Sequence, residues 1–138
     1  MKFLDKNTAL SILGQDEINH SVVISDPSIK DCPMVYVSKE FESQTGYTVQ
    51  ESLGKNCRFL QGPETDPQDI DHIRLAIKLK KSITIDILNY KKNGEKFWNR
   101  LRIQPIFDSK NKLIYFAGDQ NPIKAEQVRR YTFNKILD

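Results

Sequence analysis

The chain has 138 residues, the usual length of one domain and too short for a second large hydrophobic core. Hydrophobic residues make up 38% of it and charged residues 28%, so a folded globular domain is expected rather than a disordered chain. The net charge of +3 comes from interspersed basic and acidic residues without a basic block, so nothing indicates nucleic-acid binding. Two cysteines and the absence of an apolar signal or membrane-spanning run predict a soluble, cytoplasmic domain with free thiols.

Helical signals begin at the N-terminus. Residues 1–20 mix apolar and charged positions, and Asn7 or Thr8 is a candidate cap for a short helix before Gly14, so an N-terminal helical arm is predicted. Two short helices and one amphipathic helix are expected in the middle of the chain, and a further amphipathic helix at its end. Their predicted ranges are 39–45, 48–53, 66–80 and 124–137.

Strand signals lie on both sides of the central helices. Residues 21–25 and 34–38 predict an opening hairpin, and the segments 82–92, 96–107 and 112–121 predict an antiparallel meander. The order of two strands, several helices and three strands indicates an α+β fold. We expect a five-stranded antiparallel sheet with helices on one face, flanked by the N- and C-terminal helices.

Side-chain parity along the last three predicted strands places Asn89, Asn99 and Gln120 on an otherwise apolar face of the sheet. An unpaired buried amide costs roughly 1 to 3 kcal/mol, so the three need one another or a bound group as partners. A three-residue loop with a glycine bulge around Asn93-Gly94 would place Asn89 directly across from Asn99, and we predict this pairing. From parity alone, an internal amide network and a ligand site are equally good interpretations.

The stretch from Gly54 to Gly62, Gly-Lys-Asn-Cys-Arg-Phe-Leu-Gln-Gly, places a lone thiol among polar side chains. Taken singly, Cys57 is most simply a buried, unreactive thiol and Arg58 a surface charge. Arg58 and Arg74 together have the planar guanidinium groups that bind a phosphate, and Arg74 follows Ile73 on the isoleucine-lined turn of its predicted helix, where a solvated arginine is less expected. The histidines and cysteines have no metal-ligand spacing, so no metal site is predicted.

Across residues 21–121 the sequence resembles the LOV domains, the flavin-binding blue-light sensors of the PAS superfamily. Beyond the Asn-Cys-Arg-Phe-Leu-Gln run, the resemblance covers several separated motifs: Gly62-Pro63-Glu64-Thr65-Asp66, Arg74, Asn89-Tyr90, Phe97-Trp98-Asn99 and Phe116-Ala117-Gly118-Asp119-Gln120. It implies a PAS/LOV fold that binds FMN non-covalently in the dark. It also implies a reversible bond from the Cys57 sulfur to flavin carbon C4a after illumination. FAD or riboflavin in place of part of the FMN stays open.

The resemblance further implies roles for the predicted site residues. Arg58 and Arg74 would bind the FMN phosphate. The amides that would hydrogen-bond to the ribityl chain and the ring are those of Asn56, Gln61, Asn89, Asn99 and Gln120. The apolar slot around the ring would be formed by Leu60, Ile70, Ile73, Ile77, Ile87, Leu101, Ile103, Phe116 and Gly118. Cys32 occupies a turn position where many LOV domains have an asparagine near the flavin, so that contact is in doubt and a structural thiol is expected.

The implied function is that of a short, non-enzymatic blue-light receptor. It would comprise an arm at 1–20, a LOV core at 21–121 and a C-terminal helix at 122–138, without a fused effector. Protonation of flavin N5 would rotate the Gln120 amide and alter the packing of the flanking helices, with a homodimer or an unidentified downstream protein as partner and no membrane. The alternatives are a PAS interaction module without a light response and a flavin enzyme, which the missing dinucleotide fingerprint disfavours.

Overall fold

A computed structural model of the protein describes residues 1–14 and 21–129. The helices of this part of the chain are α1 (Lys6–Leu13), α2 (Glu40–Thr45), α3 (Val49–Ser52) and α4 (Pro67–Leu79), with 3-10 turns at Cys57–Leu60 and Ala125–Gln127. The strands are β1 (Ser21–Ser25), β2 (Met34–Val37), β3 (Ile83–Tyr90), β4 (Lys96–Phe107), β5 (Leu113–Gln120) and β6 (Pro122–Ile123). None of the described helices is long and apolar enough to cross a bilayer.

The strands form one antiparallel sheet in the order β2-β1-β5-β4-β3. The predicted α+β fold and its five main strands are therefore confirmed. The short β6 is additional, and it continues along β4 in the register of β5: Arg102 faces Asp119, and Asn99 faces Pro122. Because β1 pairs with β5, a strand near the beginning of the chain lies beside a strand near its end.

The two sheet faces are covered differently. On the inner face, α2 and the Cys57–Leu60 turn pack on β1 through Phe41, Leu60 and Val23, and α4 packs on β3 through Ala76 and Ile85. On the outer face, α1 packs through Ala9 on Ile24 and Val35. The inner face therefore faces the central helices, and the N-terminal helix lies on the opposite side.

Local capping explains where the helices begin. Thr48 and Glu51 form the predicted capping box of α3, and Asp66 caps α4 with Pro67 in the first turn. The predicted caps of α1 are wrong. The Asp5 carboxylate accepts the hydrogen bond from the Thr8 main-chain nitrogen at 2.7 Å, so α1 begins one residue before the first of the two predicted caps.

The hairpin between β3 and β4 has the predicted loop length but a different register. The Lys91 nitrogen donates to the Glu95 carbonyl at 2.8 Å, which leaves a three-residue loop that ends at Gly94 with φ of 89°. The loop therefore starts one residue earlier than predicted. Asn89 lies opposite Phe97, so its predicted pairing directly across from Asn99 is wrong. The two amides are instead diagonal neighbours on the inner face.

The predicted C-terminal helix over 124–137 is only partly within the described residues. Ala125–Gln127 is a single 3-10 turn, and Val128 is extended with φ of −63° and ψ of 129°. The described part of that range is therefore not α-helical, which corrects the prediction there. Residues 130–137 lie outside the described residues.

Candidate functional site

A cavity of about 160 Å³ lies between the inner sheet face, α4 and the segment from Asn56 to Gln61. It brings together every predicted site residue except Asn99: Asn56, Cys57, Arg58, Leu60, Gln61, Ile70, Ile73, Arg74, Ile77, Ile87, Asn89, Leu101, Ile103, Phe116, Gly118 and Gln120. The sequence reasoning missed four lining residues: Val23, Ser25, Cys32 and Ala117. The strand parity that found Ile87 would also have found Val23 and Ser25, had the pairing of β1 with β5 been known.

Two apolar walls bound this cavity. Ile87, Leu101 and Phe116 project from the sheet, and α4 contributes isoleucines on the other side. Gly118 lies on the sheet wall, where a Cβ would lie 3.3 Å from the Val23 Cγ2, so a side chain there would crowd this wall. The cavity is therefore a slot suited to a planar, mainly apolar group.

Asn99 lies behind the cavity wall as the centre of an amide network. It is 0% exposed, and its Nδ2 donates to the Asn89 Oδ1 at 3.0 Å and to the Gln120 Oε1 at 2.7 Å. Its Oδ1 accepts from the Asn121 main-chain nitrogen at 2.8 Å. The structure therefore contains an internal amide network in which Asn99 orients two amides that line the cavity.

The network leaves one amide nitrogen of a cavity-lining residue unpaired. The Gln120 Nε2 and the Ser21 Oγ are buried and have no hydrogen-bond partner among the described residues. Ser21 and Gln120 are direct neighbours across β1 and β5. Because an unsatisfied buried donor costs about 1 to 3 kcal/mol, the Gln120 amide is suited to a polar edge of a bound group. A flavin, with a planar ring and a hydrogen-bonding edge, fits both the slot and this orphaned donor.

Cys57 is held at the cavity wall by a capped turn. The Arg58 nitrogen donates to the Asn56 Oδ1 at 3.0 Å, and the Asn56 Nδ2 donates to the Asp31 carbonyl at 2.8 Å. Burial raises the pKa of the Cys57 thiol to about 12, so it is protonated at neutral pH. The thiol is thus a source of both a sulfur and a proton.

Cys32 is the second thiol of the cavity. It occupies a turn with φ of 47° and lines the cavity together with Cys57. Burial, with the carboxylates of Asp26 and Asp31, raises the pKa of the Cys32 thiol to about 11. Neither thiol is an activated thiolate nucleophile in the ground state.

The two arginines lie at the rim of the cavity. Arg58 pairs with Asp31, and the Arg74 Nη1 lies 3.7 Å from the Asp71 Oδ1. Their side chains are 50% and 74% exposed, so the expected inward position of Arg74 is not observed. Because both guanidinium groups reach solvent as well as the cavity, they are placed to bind an anionic group that projects from it.

Comparisons with known proteins identify the class. Residues 19–118 match the PAS domain family. Phototropin-2 of Oryza sativa subsp. japonica is 50% identical over 105 residues, which are 76% of this chain and 12% of that protein. A blue-light-activated histidine kinase of Brucella anthropi is 44% identical over 105 residues, which are 76% of this chain and 21% of the kinase.

Solved LOV domains are similar over most of their length. The dark structure of the Aureochrome1 LOV photoreceptor has a TM-score of 0.79 and 36% identity, and the match covers 92% of this chain and 90% of that one. The LOV domain of the Erythrobacter litoralis EL346 blue-light-activated histidine kinase has a TM-score of 0.73 and 40% identity, covering 76% and 96%.

The fold is thus that of a PAS domain, and the chain belongs to that family. Within the family it is a LOV domain, which confirms the resemblance found in the sequence. The chain spans only 12% of the phototropin and 21% of the Brucella kinase, so it corresponds to one module of those proteins.

Proposed function

We propose that this chain is a blue-light receptor domain that binds FMN in the cavity and forms a reversible bond to it through Cys57. The observation that carries this proposal is one apolar slot that has a protonated thiol on its wall and an unpartnered glutamine amide at its end. The relative named as a blue-light-activated histidine kinase supports the same function.

Each group of residues has a part in this chemistry. Bound FMN would supply a ring that absorbs blue light, and Cys57 would provide its sulfur for the bond to carbon C4a and its thiol proton for nitrogen N5. The bond that breaks is therefore the S–H bond of Cys57. Because its sulfur and its proton would both be taken up by the flavin, no external oxidant or reductant is needed. The isoleucine and leucine walls would pack against the ring, and the rim arginines would hold the phosphate end.

Gln120 is placed to respond to the change at N5. Its Oε1 is held by the Asn99 Nδ2, and its Nε2 is free of partners among the described residues, so in the dark it is a donor toward the cavity. A half-turn of the amide would offer the oxygen to the cavity and turn Nε2 toward the Asn99 donor. Asn99 would then lose an acceptor, which transmits the change out of the cavity.

The direct test of this function is the absorption spectrum of the purified protein before and after blue light. We expect a flavin spectrum in the dark, its reversible bleaching by light, and release of FMN on denaturation. A colourless protein that takes up no FMN would instead support a PAS interaction module. Turnover of a reduced nicotinamide would support a flavin enzyme.

Replacing Gln120 with leucine is expected to leave light bleaching intact and to remove most of the light-induced structural change, because leucine has a similar shape but no amide to rotate. The measurement is small-angle scattering or crosslinking of the variant in the dark and in light. Asn121→Leu is a poor control because the Asn121 Nδ2 donates to the Arg100 carbonyl, so Gln50→Leu on the exposed side of α3 is preferred. An undiminished response in the Gln120 variant would exclude this route.

The output belongs to the same proposal. The domain would consist of an arm at 1–20, a LOV core at 21–121 and a C-terminal segment at 122–138. It would signal without enzymatic activity of its own, as a homodimer through the flanking segments or through a downstream protein, in the cytoplasm. FAD or riboflavin in place of part of the FMN would be detected by chromatography of the released cofactor.

A further inference from the structure

A carboxylate is buried on the outer sheet face, away from the cavity. Asp86 alternates with Ile85 and Ile87 along β3, and its side chain is only 1% exposed. Arg100 lies directly opposite on β4, with its Nε 2.8 Å from one carboxylate oxygen and its Nη2 3.1 Å from the other. This bidentate ion pair offsets the free-energy cost of burying the Asp86 charge.

The segment after β6 closes over this pair. The Arg129 main-chain nitrogen donates to the Asp86 Oδ2 at 2.7 Å, and the Arg129 Nε lies 3.8 Å from the same oxygen. The Arg100 Nη2 also donates to the Gln127 carbonyl at 2.9 Å. One carboxylate and one guanidinium therefore hold residues 127–129 against the sheet.

The charge of Asp86 is maintained in this arrangement. Burial by itself raises the pKa of the Asp86 carboxyl, but the hydrogen bonds from Arg100 and from the Arg129 main chain outweigh it and lower the pKa. Asp86 is therefore ionised at neutral pH. If residues 127–129 moved away, the carboxylate would lose a main-chain donor and regain contact with water.

A short chain of hydrogen bonds joins the Asp86 pair to the cavity. Asn99 and Arg100 are adjacent in β4, and both contact Asn121. The Asn99 Oδ1 accepts from the Asn121 nitrogen at 2.8 Å, and the Arg100 nitrogen donates to the Asn121 carbonyl at 2.7 Å. Since Asn99 also holds Gln120, a movement of that amide reaches Asn121, the residue that joins β5 to β6.

We propose that Asp86 is a latch that holds residues 127–129 on the outer face of β3 and β4, and that rotation of the Gln120 amide opens it through Asn99 and Asn121. The holding function of Asp86 is independent of any cofactor. Its opening by light rests on the proposed photoreceptor function and names the step by which the signal leaves the domain.

The test follows exchange of the Arg129 amide proton with solvent, by nuclear magnetic resonance on the full chain loaded with FMN. In the dark this proton donates to Asp86, so in wild type it should exchange slowly. Asp86→Asn should accelerate its exchange at least about tenfold, because a neutral amide oxygen is a weaker acceptor than a carboxylate and pairs less well with Arg100. Equal exchange in the variant and the wild type would overturn the latch.

Matched variants separate the latch from general destabilisation. Asp119 lies on the same outer face and pairs with Arg102 at 3.7 Å, so Asp119→Asn removes a neighbouring carboxylate and leaves Asp86 in place. It should leave the Arg129 exchange unchanged. If Asp86→Asn does not fold, the same comparison can be made with Arg100→Lys as the test variant and Arg102→Lys as its control. Lysine at position 100 keeps the positive charge but cannot bond to both Asp86 oxygens and to the Gln127 carbonyl. Equal exchange in these two variants would also overturn the latch.

Illumination of the same samples distinguishes the latch from the photochemistry. In wild type, light should bleach the flavin and accelerate Arg129 exchange towards the value in Asp86→Asn, and in Gln120→Leu it should bleach without accelerating exchange. Bleaching without any change at Arg129 in wild type would overturn the opening step. Absence of bleaching in wild type would refute the proposed photoreceptor, while the dark comparison would still decide the latch.

Discussion

The substitution Cys57→Ala is expected to abolish reversible blue-light bleaching. The dark flavin spectrum and the FMN affinity should remain close to those of wild type. Cys57 lines the cavity from the turn that Asn56 caps, and this turn is part of the LOV motif. The apolar walls would make most of the contact with a bound ring. Removing one sulfur therefore removes the bond-forming atom but little of the binding surface. The measurement is absorption before, during and after illumination.

Cys32→Ser is the matched control for this experiment. Cys32 lines the same cavity and its thiol is likewise protonated, with a pKa of about 11, but it lies outside the Asn56–Gln61 segment that carries the motif. Its serine variant should bleach to the same extent as wild type. Bleaching that persisted in Cys57→Ala and disappeared in Cys32→Ser would identify Cys32 as the reactive thiol and would contradict the role proposed for Cys57.

Loss of both rim arginines is expected to change which flavin the domain binds. Arg58→Gln and Arg74→Gln should each weaken FMN about tenfold and should leave riboflavin almost unaffected, because riboflavin has no phosphate to contact. A hydrogen bond to a charged group contributes about 1.5 to 3 kcal/mol, and the high exposure of these side chains favours the lower end of that range. The double variant should therefore bind the two flavins with similar affinity.

Titration of the apoprotein with each flavin, followed by flavin fluorescence, measures this ratio. Both arginines are already paired, Arg58 with Asp31 and Arg74 with Asp71, so part of the phosphate contact is gained by exchange of partners. Arg102→Gln, on the outer face, controls for the loss of one positive charge. Equal weakening of riboflavin and FMN in the double variant would show that the arginines act on the fold rather than on the phosphate.

Much of the fold followed from local rules. Thr48 with Glu51, Asp66 with Pro67 and the apolar runs of the strands located the elements to within about two residues. The cap of α1 was missed because three nearby polar side chains compete for the same main-chain nitrogens, and only the folded geometry shows that Asp5 accepts the bond.

The site was also largely visible in the sequence, as parity along β3, β4 and β5 and as the motif around Cys57. The contact of Asn99 with the ligand stays a prediction, but its 0% exposure and its bonds to Asn89 and Gln120 were not foreseen. Strand parity determines which face a side chain lies on, but not whether a neighbouring amide covers it. Val23 and Ser25 were missed because β1 reaches the cavity only through its pairing with β5, nearly one hundred residues later in the chain.

The sequence by itself therefore determined the elements, their order, the membership of the apolar face and the thiol motif, since these depend on residues close together in the chain. The tertiary structure alone decided the register of Asn89 and Asn99, the unpaired Gln120 and Ser21 atoms and the Asp86 contacts with residues 127–129. These depend on a one-residue shift in a hairpin loop or on contacts between distant segments. Such shifts and contacts are selected by the packing of the whole domain rather than by local preference.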